Sequence, residues 1–303
     1  MTGAREARGH EGGLPAAAIE IVASIAAHRA LSREQIGEMH MPGTGARWCR
    51  RVLGRIAAAG LIDHVRTAGG SPQRLWFATE AGARTAVEIG ALPRMPRVFE
   101  AAEVVGPLQA HTVAVNDAAI SFLRAARREG DDFGPLAWRI EVAHPFVVDG
   151  ARRRRSRSVI SDALLTYIRS AAGKVFVEQR FLELDRATLP VDTMAAELAR
   201  YAELFRAVGE EMEPVWRSRY PTFPSVVCVL AGGGREVLRR RRDTALALLR
   251  AEPQLTRTPE VEIRVCLLEE LVSRGPAAPI FRSLRDQGRA VDWLGNREEE
   301  GRR

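Results

Sequence analysis

The chain has 303 residues, of which 45 are Lys or Arg and 38 are Asp or Glu, so its formal net charge is +7. This length is enough for two domains with separate cores, and the positive charge favours an anionic partner such as nucleic acid. Three widely spaced cysteines, Cys49, Cys228 and Cys266, form no metal-ligand pattern and indicate a reducing compartment. No apolar run reaches the ~20 residues of a membrane helix. We therefore expect a cytoplasmic protein that does not contact membranes.

The first 91 residues have the order of elements that is typical of a winged helix. Residues 1–15 are rich in glycine and charge, which predicts a disordered start. Helices are predicted from residue 16, from a capping box at Ser32 and Gln35, and from residue 44. Two short strands then surround the glycine-rich turn at residues 68–72. Three helices followed by a two-stranded wing predict a winged-helix domain over residues 16–91.

The third predicted helix, residues 44–59, has two chemically different faces. Its apolar side is formed by Trp48, Val52, Leu53 and Ile56. Its other side is formed by Arg47, Arg50, Arg51 and Arg55. Because the last helix of a helix-turn-helix fold lies in the major groove, we expect these four arginines to contact double-stranded DNA. The alternative is that they only solvate a surface helix.

The spacing of the prolines predicts a linker over residues 92–107, followed by a second domain over residues 108–290. This domain begins with a helix at about residues 108–128. A basic run then precedes the central strands and contains Arg152, Arg153, Arg154 and Arg155. We weigh two interpretations of this run equally, a loop that follows DNA phosphates and a solvated loop. Residues 291–303 are predicted to be a disordered tail.

The most informative segment is a predicted hairpin of two apolar strands, residues 159–170 and 175–184. If it folds about its turn at residues 171–174, partners have numbers that sum to roughly 345. Asp162 then lies opposite Glu183, and Asp185 points to the same face. Three carboxylates this close would need either a divalent cation or a neighbouring arginine, of which Arg186 and Arg200 are nearest in sequence.

Several short motifs carry a family resemblance. They are Ser161-Asp162-Ala163, the segment Phe181-Leu182-Glu183-Leu184-Asp185-Arg186-Ala187-Thr188, and Glu197-Leu198-Ala199-Arg200-Tyr201, with His111 and Asn116 upstream. With these motifs the chain, from about Ala16 to Arg282, resembles the replication-relaxation family of actinobacterial plasmid and mobile-element proteins. The resemblance implies an α/β (α+β) fold, in which a winged helix precedes a PD-(D/E)XK nuclease-like domain of order α-βββ-αβ. It also implies a Mg²⁺ site at Asp162 and Glu183.

The chain departs from the nuclease pattern where the chemistry needs a cation. The pattern has lysine two residues after its glutamate, but this chain has Asp185, and its one lysine, Lys174, lies at the hairpin turn. Ser161 and Glu197 also replace the expected proline and lysine. We therefore favour a DNA-binding protein of a plasmid or mobile element, involved in replication or relaxation, with a weakly active or inactive nuclease-like domain.

Two other functions stay open. The first is a Mg-dependent DNA endonuclease or nickase that uses Asp162, Glu183 and Asp185 as its catalytic residues. The second is a winged-helix transcriptional regulator whose second domain only dimerises. The sequence leaves open whether the protein partner is a second copy of the chain or a replication or relaxase protein.

Overall fold

The structure is a computed structural model, and it describes residues 16–67, 73–106, 109–149, 154–209, 212–286 and 288–296. The chain divides into two compact units, residues 1–104 and 105–303. Helices and two separate sheets confirm the predicted α+β class. Within the described ranges no helix is long and apolar enough to cross a membrane. The predicted disordered start, the turn at 68–72 and the basic residues Arg152 and Arg153 lie outside these ranges.

The first unit contains five helices and three short strands among its described residues. The helices are α1 (Ala16–Ala27), α2 (Arg33–His40), α3 (Ala46–Ala58), α4 (Glu80–Glu88) and α5 (Ala101–Val104), and the strands are β1 (Leu31–Ser32), β2 (Ile62–Arg66) and β3 (Arg74–Ala78). The strands form one antiparallel sheet in the order β1-β3-β2. The predicted capping box is present, because Ser32 and Gln35 exchange side-chain to backbone hydrogen bonds at the start of α2.

The core of the first unit lies between α1, α4 and β3. Apolar residues at helical spacing, among them Ile21 and Ile25 of α1, are fully buried there. Gly82 lets α4 pack against the chain before β2, since a Cβ atom at this position would lie 1.9 Å from the carbonyl oxygen of Leu61. The predicted linker at 92–107 is partly folded into this unit, because Leu92 and Phe99 are buried and α5 follows them.

The second unit is built on a longer sheet. Its elements are α6 (Gln109–Glu129), β4 (Trp138–Asp149), β5 (Arg154–Ala171), β6 (Lys174–Asp185), α7 (Val191–Arg206), β7 (Ser225–Leu230), α8 (Arg235–Ala251), α9 (Pro253–Thr256), β8 (Ile263–Leu267), α10 (Leu268–Arg274) and β9 (Arg282–Ser283). The strand order is β4-β5-β6-β7-β8-β9. The pairs β4/β5, β5/β6 and β8/β9 are antiparallel, whereas β6, β7 and β8 run parallel.

The β5/β6 hairpin has the register that the sequence predicted. Ala163 pairs with Leu182 and Ala171 with Lys174, so partner numbers sum to 345 along the whole ladder. Two residues with positive φ, Ala172 (49°) and Gly173 (72°), form the connecting turn. Such a turn matches the twist of the flanking strands and fixes their alignment. Asp162 and Glu183 occupy the next positions beyond the last pair of this ladder.

One face of this sheet is covered by α7 and α8. Its main apolar cluster combines Phe181 of β6 with Tyr201 and Leu198 of α7 and Leu246 of α8. Register and alternation place Asp162, Glu183 and Asp185 on the same face as Phe181. The carboxylates therefore lie at the border of a hydrophobic core, where unpaired charge would be costly.

The segment after residue 290 differs from the predicted disordered tail. Val291 pairs with Phe281, and the indole of Trp293 is buried in an edge-to-face contact with Phe122. The guanidinium of Arg180 also lies 5.0 Å from the centre of the Trp293 ring. Residues 291–296 are therefore part of the folded unit, because one large aromatic side chain anchors a segment that otherwise looks polar.

Candidate functional site

The first candidate site is the basic face of α3, which we define as Arg47, Arg50, Arg51 and Arg55. All four residues are exposed. Within the described residues none of the four has a hydrogen bond or an ion pair, and no acidic residue occurs between positions 44 and 60. Other helical arginines are paired, for example Arg84 with Glu80 on α4 and Arg239 with Glu270. The basic face is thus an uncompensated positive surface, and its contact with DNA stays a prediction.

The inward face of α3 differs from the predicted apolar side at two adjacent positions, Trp48 and Cys49. Cys49, Leu53 and Ile56 are buried, while Trp48 is 45% exposed. The thiol of Cys49 contacts the carbonyl oxygen of Arg33, so the smaller side chain occupies the inward position of that turn. Trp48 therefore borders the basic face and is not part of the core.

The second candidate site is a cleft of about 630 Å³ in the second unit. It is lined by residues from α6, β5, β6, β7, α7 and the loop after β6, and all three carboxylates of the predicted cluster contribute to it. The lining residues with ionisable side chains are His111, Asp162, Glu183, Asp185, Arg186, Glu197, Arg200, Tyr201 and Cys228. The structure thus brings Asp162, Glu183 and Asp185 to one cleft, and each has its own protein partner there.

Asp162 is held by two hydrogen bonds. Its Oδ2 atom accepts from the backbone N–H of Leu184 (2.7 Å), so the side chain continues the hairpin where the backbone ladder ends. Its Oδ1 atom lies 3.0 Å from Nε2 of His111, which α6 places beside the strand. Because a carboxylate only accepts, His111 carries the proton at Nε2 in this contact. Both oxygen atoms of Asp162 are therefore already bound.

Glu183 lies deeper and is bonded to α7. Its Oε1 atom accepts a hydrogen bond from the hydroxyl group of Tyr201. Burial, and secondly the nearby charge of Asp162, raise the pKa of the Glu183 carboxyl well above its ordinary value. Burial and Glu183 also raise the pKa of Tyr201. This pair favours the neutral form of both groups, which suits a position beside an apolar core.

Asp185 is neutralised by an arginine that is 56 residues away in sequence. Nε of Arg241 on α8 donates to Oδ2 of Asp185 (2.5 Å), and its second guanidinium nitrogen donates to Oδ1 (3.0 Å) and to the carbonyl oxygen of Leu189 (2.8 Å). Both side chains are only 12% exposed. A bidentate pair of this kind is the strongest ordinary form of arginine–carboxylate contact.

The arginines that the sequence suggested as neutralising groups have other contacts or none. Arg200 donates to the carbonyl oxygen of Ser158 (2.5 Å), which ties α7 to β5. Arg186 lines the cleft, but among the described residues it forms no ion pair with the three carboxylates. The predicted role for Arg186 and Arg200 is therefore wrong for Asp185, whose partner is Arg241.

The carboxylates do not fit the Mg²⁺ ion that the family resemblance implies. A Mg²⁺ site uses one or two carboxylates that are free to turn their oxygen atoms toward the ion. Here His111 and Leu184 already contact both oxygen atoms of Asp162, Arg241 contacts both oxygen atoms of Asp185, and Tyr201 contacts one oxygen atom of Glu183. Among the residues described, no group of three or more His, Cys, Asp or Glu side chains could hold a metal ion. The cleft is thus organised by protein hydrogen bonds.

Sequence reasoning missed Arg241 and placed Trp48 on the apolar side of α3, whereas its side chain is exposed. The run Arg239–Arg242 was visible, but only the structure shows that one member turns inward to Asp185. His111 matched the family pattern and could approach the carboxylate cluster, but a single histidine on a helix is more often a surface or hydrogen-bonded residue; the structure places it against Asp162. The side chains of Arg154 and Arg155, which begin β5, lie outside the described part of the structure, so their predicted phosphate contact stays a prediction.

A model of the replication-relaxation family matches residues 22–215, well over half of the chain. The chain therefore belongs to the replication-relaxation family. The match contains the basic face of α3 and all three carboxylates, and it ends before α8, which supplies Arg241. No curated protein matches the chain, and no solved structure does so either.

Proposed function

We propose that the protein binds double-stranded DNA through α3 and acts in the replication or relaxation of a plasmid or another mobile element. The observation that carries this proposal is the basic face of α3, where four exposed arginines have no acidic partner among the described residues. In a winged helix, the third helix is the one that enters the major groove. The order of three helices and a two-stranded hairpin in the first unit supports that placement.

Charge segregation on this helix favours DNA over a general solubility role. Like charges at spacings of three and four residues repel one another, by about 0.2–0.5 kcal/mol per pair. Arg47 has such neighbours at Arg50 and Arg51, and Arg51 has another at Arg55. A polyanion reverses this penalty, because each arginine at a phosphate releases condensed counterions. The same face could also read guanine edges, which present two acceptors to a guanidinium group.

The cleft of the second unit, in this proposal, is a nuclease-like site without metal-dependent activity. His111, Tyr201 and Arg241 satisfy the three carboxylates. Asp185 stands where the pattern has the lysine that could adjust the ionisation of an attacking water, and the guanidinium group of Arg241 beside it stays protonated. The second unit then serves as a second binding or assembly surface.

Fluorescence anisotropy with a labelled mixed-sequence duplex tests the proposal. The Arg47→Ala/Arg51→Ala variant should bind more weakly, and the slope of log K against log salt should fall by about 1.8, or ~0.9 for each phosphate that the variant no longer neutralises. The matched control is Arg84→Ala/Arg217→Ala, which removes two exposed arginines that are already paired with Glu80 and Glu213. Equal affinity and slope for the first variant and wild type would refute binding through α3.

A further inference from the structure

Trp48 stands out on the exposed surface of the first unit. It is the third residue of α3, and its side chain is 45% exposed although Cys49, Leu53 and Ile56 of the same helix are buried. Around the helix it borders Arg51 and Arg55, which follow it by three and seven residues. The indole of Trp48 therefore contributes little to the core. Residues at the beginning of a recognition helix are the ones that reach base edges.

Gly54 is a second unusual feature of the same surface. It lies inside α3, between Arg50 and Arg51 around the helix, where glycine is less favourable than alanine. A Cβ atom at this position would meet no atom within 4 Å, and its backbone does not have a positive φ. Neither packing nor backbone geometry in the described structure requires a glycine here. A glycine on an exposed helical face does allow another surface to approach the backbone closely.

The charge of the surrounding residues indicates which kind of partner fits this face of α3. The exposed face that carries Trp48 and Gly54 has four arginines and no acidic residue. A protein partner would need a dense acidic patch to match it, whereas duplex DNA presents a regular array of phosphates on both sides of a groove that admits one helix. In that groove, the apolar group on a base edge is the C5-methyl group of thymine.

We infer that Trp48 and Gly54 fit α3 to the major groove, with Trp48 against the C5-methyl group of a thymine and Gly54 at the closest approach of the helix to the DNA. This inference rests on the proposed function, because α3 must be the helix that contacts DNA. It adds that Trp48 contributes sequence preference, while the arginines of the basic face contribute mainly affinity. The two contributions differ in their dependence on salt, since the indole has no charge.

The experiment uses duplexes that wild-type protein enriches from a random 20-base-pair library. Each thymine of an enriched duplex is replaced in turn by deoxyuridine, which lacks only the methyl group. For wild-type protein we expect one replacement to weaken binding about fourfold, the effect of one buried methyl-sized group. For Trp48→Ala the same replacement should have no effect, and the slope of log K against log salt should equal that of wild type. Trp48→Phe, which keeps an aromatic ring, should retain part of the sensitivity to deoxyuridine.

Gly54→Ala provides the second test, with Gly37→Ala as its matched control. Gly37 is also inside a helix, α2, and a Cβ atom there would likewise meet nothing within 4 Å. Both substitutions should raise the melting temperature by a few degrees, because alanine favours the helix. We expect Gly54→Ala, but not Gly37→Ala, to weaken DNA binding, by roughly tenfold if one methyl group enters a tight contact.

The outcomes separate this inference from the proposed function. If the Arg47→Ala/Arg51→Ala variant binds weakly while Trp48→Ala, the deoxyuridine replacements and Gly54→Ala have no effect, the inference is wrong and the proposed function stands. If wild-type protein binds no duplex, both are wrong. If deoxyuridine weakens wild type and Trp48→Ala equally, the methyl contact belongs to another residue and the inference is overturned.

Discussion

The ion pair between Arg241 and Asp185 allows a loss of folding stability to be predicted from the structure. Replacing Arg241 by methionine keeps most of the volume of the side chain but leaves Asp185 without its two guanidinium hydrogen bonds, and the carbonyl oxygen of Leu189 without a third. Both side chains are 12% exposed, so the pair behaves as a nearly buried one. Removing one partner of a buried pair costs about 3–5 kcal/mol, and the remaining exposure argues for ~3 kcal/mol.

Urea unfolding followed by circular dichroism measures this effect. With a slope of about 3 kcal/mol per molar urea for a unit of this size, a loss of ~3 kcal/mol lowers the midpoint by about 1 M. The double variant Asp185→Leu/Arg241→Met should recover most of the loss, since an apolar pair avoids the cost of an unpaired charge. Arg235→Met on the same helix is the control, because Arg235 and Glu269 form an exposed pair. A midpoint for Arg241→Met within error of wild type would refute the reasoning.

Two further predictions concern stability as a function of pH. Because the pKa of Glu183 is raised, its contribution to the free energy of unfolding is present at low pH and is lost as pH rises above 4.5, the ordinary value. Glutamine does not titrate, so the stability of Glu183→Gln relative to wild type should increase with pH. A constant difference in urea midpoint between pH 4.5 and 8 would contradict this. Burial, and secondly the charge of Arg219, lower the pKa of His144 from 6.5 to about 4, and its Nε2 lies 2.6 Å from the hydroxyl oxygen of Tyr220. The contribution of His144 to the free energy of unfolding is therefore present above pH 6.5 and is lost as pH falls toward 4. The stability of His144→Gln relative to wild type should thus increase on acidification. Parallel plots of urea midpoint against pH for the two proteins would contradict this prediction.

Local patterns predicted much of the fold, because the relevant interactions are close in sequence. The two residues of the β5/β6 turn fix a register that places Asp162 opposite Glu183, and the capping box at Ser32 begins α2. The position of Trp48 does not follow from its apolar character alone. Adjacent residues lie about 100° apart around an α-helix, so Cys49 faces the same way as the buried Leu53 and Ile56, and Trp48 lies at the edge of that side.

The candidate site depended on interactions between distant parts of the chain. Asp185 had two arginines close in sequence, yet its partner is Arg241, because α8, which connects the parallel strands β7 and β8, places Arg241 at the end of β6. The contact of His111 with Asp162 likewise joins α6 to a strand that follows much later in the chain. Sequence could show that three carboxylates need neutralising groups, while the identity of those groups required the three-dimensional arrangement.

Incubation of supercoiled plasmid with the protein and Mg²⁺, followed by agarose gel electrophoresis, tests DNA binding and cleavage together. Our account predicts that the supercoiled band is retarded, that Arg47→Ala/Arg51→Ala reduces the retardation, and that removal of protein by protease returns supercoiled DNA. Conversion of the plasmid to nicked circles by wild type but not by Glu183→Ala would contradict it, because the carboxylates would then support metal-dependent cleavage despite their protein partners.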